Sequence, residues 1–165
     1  MQALLERIEA EMPERVLLLG DLLYHGPRND LPEGYAPKAV IPMLNGIRER
    51  VLAVRGNCDT EVDQMVLEFP IVESAQVLLG SRVLVLTHGH RFHLQNPPPL
   101  CPGDFLVYGH THVPAWDSFG TGNRVLNPGS VSIPKEGSPR GYILLTERSA
   151  SWKNLAGETW HSMEL

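Results

Sequence analysis

Sulfur, basic clusters and long apolar runs are all scarce in this chain, and each scarcity closes off a class of function. Two of the 165 residues are cysteines, Cys58 and Cys101. They stand in no CxxC spacing, so neither a disulfide framework nor a structural zinc site is indicated, and reduced cytoplasmic thiols are the default. No apolar stretch approaches the roughly 20 residues that a membrane span needs. The start, Met1-Gln2-Ala3-Leu4-Leu5-Glu6-Arg7, lacks the basic region and apolar core of a secretory signal. Lys and Arg number 14 against 19 Asp and Glu, a formal charge of -5, and no basic cluster breaks that balance. A nucleic-acid footprint is therefore not expected. The phosphate loop GxxxxGK[ST] is absent too, which removes the simplest nucleotide-binding module. Aromatic residues are only 7% of the chain, and Trp116, Phe119, Trp152 and Trp160 read as sheet packing, since no basic residues lie among them.

What is present is globular. With 42% apolar and 20% charged residues, the composition suits one compact domain over residues 1–165, large enough to bury a core and too small for two ordinary domains. The spacing of Leu4, Leu5 and Ile8 predicts a helix over Ala3 to Glu11, stopped by Pro13. A second helix is expected from Lys38 to Arg50, with Pro42 in its early turns, and a short third from Glu61 to Leu67. Two continuous apolar runs, Val16 to Leu19 and Val51 to Val54, read as strands buried on both faces of a parallel sheet. Between them, Leu22 to Pro37 is a loop punctuated by Gly26, Pro27, Pro32 and Gly34. Beyond Pro70 the pattern changes to successive strands: Gln76 to Leu79, Arg82 to Leu86, Phe105 to Tyr108, Pro114 to Phe119, Arg124 to Leu126 and Gly141 to Leu145. A last strand is expected around Trp152 to Leu155, followed by a frayed tail.

Four of these strand ends carry chemistry. Gly20-Asp21, Gly56-Asn57, His88-Gly89-His90 and Gly109-His110-Thr111-His112 each place an oxygen or nitrogen donor just past an apolar run. Ligands of α/β proteins bind at such strand ends. Glycine beside each donor allows close backbone approach and a sharp exit from the strand. A mixed set of carboxylate, amide and imidazole donors suits Mn, Fe, Co, Ni or Zn better than Ca or Mg.

The order GD, GNCD, THGH, GHTH and NPGS resembles the calcineurin-like metallophosphoesterases, and within them the small bacterial phosphodiesterases of the YfcE type. The segment from Tyr24-His25-Gly26-Pro27-Arg28-Asn29 to Pro37 is similar to an insert of that subgroup. The resemblance covers about Val16 to Pro134 and implies an α/β/β/α sandwich of two mixed sheets flanked by helices. It implies a two-ion centre bridged by Asp21, with Asn57, His88 and His110 on one ion and His112 on the other; His90 falls behind these ligands. It also implies hydrolysis of a phosphodiester by in-line attack of a hydroxide held between divalent ions, with manganese the expected metal. The substrate would be a small-molecule or nucleotide-derived diester, and a homo-oligomer is the subgroup's habit. Larger relatives carry His after the Asn of the third motif to assist the leaving group. Here that place is Cys58, a poor acid near neutrality, so His25 and Asp59 stand as substitutes, while Arg28 and Asn29 are candidates to touch the substrate. Asn127-Pro128-Gly129-Ser130 matches a loop near the site and receives no direct role.

One family motif is missing. The Asp-x-His that ends the family's first strand occurs nowhere in this sequence. The expectation is therefore a fold without its first strand, neighbouring strands with unpaired backbone, and one ion held by Asp21, Asn57, His88 and His110. A fragment, a late start or a non-catalytic scaffold of the kind found in the retromer complex are the alternatives to an active enzyme.

Overall fold

Twelve short strands and three α-helices make up the computed structural model, which describes all 165 residues. Helix α1 (Gln2–Glu11) buries Ile8 and ends at Met12, whose left-handed φ of 47° turns its amide back to the Ile8 carbonyl. Strands β1 (Val16–Leu18), β2 (Val51–Val54) and β3 (Ile71–Val72) pair in parallel, with Val16 opposite Val51 and Ala53 opposite Ile71. Helix α2 (Pro37–Asn45) and a single 3-10 turn at Arg48–Arg50 connect β1 to β2. The expected helix to Arg50 thus stops short at Gly46, where the backbone tightens to the 3-10 form. Helix α3 (Glu61–Val66) opens with a capping box of Thr60 and Asp63, which satisfies amide groups that a six-residue helix could not satisfy internally.

The second half is built from strands. The hairpin of β4 (Ala75–Leu79) and β5 (Arg82–Leu86) turns at Gly80 as expected. Beside β5 lie β6 (Phe105–Val107) and then β9 (Asn123–Pro128), both parallel to it. The predicted strand from Pro114 to Phe119 is in fact two, β7 (Pro114–Ala115) and β8 (Ser118–Phe119), each antiparallel to β9. Pairing breaks at Trp116 and Asp117, where the Trp116 ring stacks on His161 with centroids 3.7 Å apart. These elements form one six-stranded sheet. The remaining strands, β10 (Gly141–Leu145), β11 (Ser149–Asn154) and β12 (Thr159–Glu164), make an antiparallel meander. The tail therefore pairs instead of fraying. Its anchor is Trp152, fully buried, whose indole N–H donates to the Asn127 carbonyl at 2.8 Å.

The sheets share a core in which Leu84, Leu86, Phe105, Val107 and Leu126 of the large sheet meet Ala150 and Trp152 of the meander and Val54 of the parallel sheet. Helices cover the opposite side of the parallel sheet through Leu44, Ala53, Leu67, Phe69 and Ile71. The outer face of the large sheet is closed by an irregular segment through Leu94 and Leu100. This is the mixed α/β layering expected of the family. Among the edge strands, β1 pairs only with β2 and β10 only with β11. Both line one apolar slot of about 330 Å³, together with Met1, Leu4 and Ile8 of the first helix region. For this reason β1 is half-buried along its whole length, against the expectation of burial on both faces.

Candidate metal centre

The loop after β1 turns through Gly20 at φ 91° and Asp21 at φ 53°. A side chain on Gly20 would meet the backbone of Gly56 and the His88 ring 2.8 Å away, and one on Gly56 would strike the Asp21 carboxylate. Only glycine allows the two loops to close on each other. Asp59 locks them together: its carboxylate accepts from the amides of Asp21 and Leu22, both at 2.8 Å, and of Gly56 at 2.7 Å. Three buried bonds to an ionised acceptor are a strong positional constraint. Both carboxylate oxygens of Asp59 are thereby engaged in the clamp between the loops.

Four donors converge above this clamp. His88, buried at the end of β5, faces the Leu19 carbonyl with Nδ1 at 2.5 Å, which fixes the proton on that nitrogen in the neutral ring. Nε2 is then left with a bare lone pair. Within reach of it stand three further acceptors: Asn57 Oδ1 at 3.1 Å, His110 Nδ1 at 3.0 Å and Asp21 Oδ2 at 3.4 Å. The donor atoms of Asp21, His88 and His110 all lie within 4.8 Å of one another. A carboxylate, an amide oxygen and two imidazole nitrogens crowded on one point fit a divalent cation, which would take the place of the protons they otherwise share. The outer hydrogen bond from His88 Nδ1 to a backbone carbonyl is the usual second support of a ligating imidazole.

The electrostatics follow from this crowding. Burial pushes the Asp21 carboxyl up, but the hydrogen bond and charge of His88 outweigh it, so the group stays below its ordinary range. For His88 burial acts downward and Asp21 with the Leu19 carbonyl upward, leaving a net rise. His110, penalised by burial and by His88, falls to about 4. It is therefore neutral and able to ligate near neutrality.

His112 is separate. Its Nδ1 bonds to the Ile133 carbonyl at 3.0 Å, and it lies outside the cluster of donors, although it lines the cavity above them. Burial first, then Lys135, lowers its pKa. His90 lies beside His88 with centroids 5.4 Å apart and the rings tilted by 54°, and its buried Nδ1 has no hydrogen-bond partner.

The polar cavity of about 400 Å³ over the cluster brings in most of the other expected residues, His25, Arg28 and Asn29 among them. His25 is buried between Tyr24 and Tyr35, and its Nε2 has no protein partner. Asn29 is occupied in holding the His25 carbonyl through its side-chain amide at 2.8 Å. The Cys58 thiol accepts from Asn57 Nδ2, and burial with the neighbouring Asp21 pushes its pKa up to about 11. It is a spectator to proton transfer near neutrality.

Asn127, expected only to lie in a loop near the site, has a structural task. Its side-chain amide donates to Gly109 O at 2.9 Å and to Thr111 Oγ1 at 3.1 Å, and its own oxygen accepts from the Gly129 amide. It thereby holds the loop on which His110 and His112 adopt positive φ of 58° and 62°. A polar residue inside an otherwise apolar strand was the available signal.

The chain is similar to several known proteins. Over 131 residues, 79% of this chain and 71% of the other, it is 56% identical to phosphodiesterase YfcE of Escherichia coli strain K12. The solved structure of E. coli YfcE, a phosphoesterase, superposes with a TM-score of 0.93 at 47% identity, covering 98% of this chain and 90% of that one. A probable metallophosphoesterase of Bacillus subtilis strain 168, YsnB, is 26% identical over 153 residues, 88% of this chain and 75% of its own. The model of the calcineurin-like phosphoesterase superfamily domain matches residues 1–150, and the chain belongs to that family of hydrolases.

Proposed function

We propose that this chain is a metal-dependent phosphodiesterase acting on a small diester, with one divalent ion held by Asp21, Asn57, His88 and His110. The observation that carries the reading is the convergence of donor atoms on one point: His88 Nε2 stands 3.0 to 3.4 Å from His110 Nδ1, Asn57 Oδ1 and Asp21 Oδ2. Mixed nitrogen and oxygen donors favour manganese or its transition-metal neighbours. The kinship to phosphodiesterase YfcE supports the reaction class. Two free thiols, Cys58 and Cys101, suit a reducing compartment such as the cytoplasm.

The cation, when bound, supplies charge neutralisation at the phosphoryl oxygens and an acidified water. The chain's own residues supply the geometry. Asp59 and Asn127 fix the loops, so the donors are placed before the substrate arrives and no reorganisation is spent on them. Leu19 keeps the proton of His88 on Nδ1 and its lone pair toward the site. Arg28, on the cavity wall, meets an anionic diester. His25, with an unpaired buried Nε2 in the same cavity, is placed to pass a proton to a leaving alkoxide.

The test is hydrolysis of bis(p-nitrophenyl) phosphate with added manganese, with chelator, and with His88→Ala. Turnover that needs the metal and vanishes in the variant supports the reading; turnover indifferent to both contradicts it.

A further inference from the structure

The cavity over the metal centre has no hydrophobic side chain among its walls. It is a chamber for a charged, hydrated group, without a platform for stacking an aromatic ring. Its full cations are Arg28 and Lys135. Elsewhere in the chain, Arg55 pairs with Glu61 and Glu73, and Lys153 with Glu11. Arg28 and Lys135 take part in none of the ion pairs, and neither side chain donates a hydrogen bond within the protein.

Lys135 has a further peculiarity, since its backbone is fastened at both ends. Its amide donates to the His112 carbonyl at 3.1 Å, and its carbonyl accepts from the amide and hydroxyl of Ser138 at 3.0 and 2.7 Å. Upstream, Ser130 Oγ accepts from the amide of Ile133 at 3.1 Å, and Ile133 in turn holds His112 Nδ1. A lysine on such a support has a fixed Cα and a free ammonium at the cavity wall. Surface lysines that serve only solubility need no such fastening.

We infer that Lys135, acting with Arg28, is the anion-binding residue of the chamber, contacting the non-bridging oxygens of a phosphoryl group and setting affinity for it. The inference rests on the phosphodiesterase reading for its substrate, while its test includes a binding arm that does not. Lys135 lies outside the metal donors, so its loss leaves the metal in place.

The experiment measures inorganic phosphate binding by calorimetry on the manganese-loaded chain, together with manganese affinity and steady-state kinetics on bis(p-nitrophenyl) phosphate. For Lys135→Met, phosphate affinity falls and KM rises by about tenfold, the size of one lost charge-assisted bond, with kcat within about threefold. Lys135→Arg, which keeps the charge, stays within about threefold of the parent on both. Manganese affinity is unchanged in both variants. Phosphate affinity untouched by Lys135→Met overturns the inference, as does a loss of manganese affinity, which would mean that Lys135 acts through His112. Absence of any phosphate binding to the parent chain overturns it too. If phosphate binding falls as stated but the parent shows no diester hydrolysis, the anion site stands and the phosphodiesterase reading fails.

Discussion

The two halves of the molecule differ in how completely their sheets are paired, and the metal centre lies between them. The large sheet is continuous through β4, β5, β6 and β9, and it delivers His88 and His110 from the ends of β5 and β6, where Leu86, Phe105 and Leu106 are almost wholly buried. The other half is divided. β1, which delivers Asp21, and β10 each present an unpaired edge to the apolar slot. The imidazole side of the site is thus built on rigid strands, while the carboxylate side depends on local bonds, above all those of Asp59. A precise donor set survives beside an incomplete sheet because side-chain to backbone clamps can replace ladder bonds over a short loop.

Experiments that remove one half's support should expose this difference. Replacing His110 by Ala is expected to weaken manganese binding by more than about 100-fold, since a direct ligand costs more than its outer partner; calorimetry measures it, and a loss below tenfold would take His110 out of the donor set. Asp59→Ala orphans three amides of the Asp21 and Gly56 loops and should cost about 3 kcal/mol in urea unfolding. A cost near zero would show that the carboxylate side needs no clamp. Filling the slot sharpens the contrast from the other direction. An apolar five-residue strand fused ahead of Met1, which lies at the slot wall, should pair with β1 and β10 and raise Tm by about 5 °C or more. An unchanged Tm would mean that these edges are not limiting.

Smaller effects concern protons. His88 carries a raised pKa, so a proton competes with the cation for Nε2 at a pH above the ordinary 6.5 of histidine. Manganese affinity should therefore weaken as pH falls through the upper side of that value, while His110, held at about 4, contributes no competition there. Affinity that is flat from pH 8 to 6 would contradict the assigned tautomer and charge of His88. Least of all, Cys58→Ser should leave diester turnover within about threefold, because a thiol held at about 11 donates no proton near neutrality.

Much of this was legible in the residue order. Apolar runs ending in glycine and a donor placed Asp21, Asn57, His88 and His110 at strand ends, and the model brings those four together. What escaped was carried by long-range polar bonds that leave no periodic trace. Asp59 is expected from the sequence as a substitute leaving-group acid beside Cys58, yet it binds amides 37 and 38 positions away. Asn127 interrupts a strand pattern, and its purpose is visible only once Gly109 and Thr111 lie beside it. The tail beyond the strand expected at Trp152 to Leu155 pairs as β12 instead of fraying, against a β11 whose Ala150 and Trp152 are fully buried.

The central claim is that Asp21, Asn57, His88 and His110 hold one divalent ion. Anomalous scattering from a crystal of the chain grown with manganese tests it most directly. The account predicts a single strong peak within bonding distance of those four side chains. A peak centred on His112 away from His88, or no peak at saturating manganese, would contradict it.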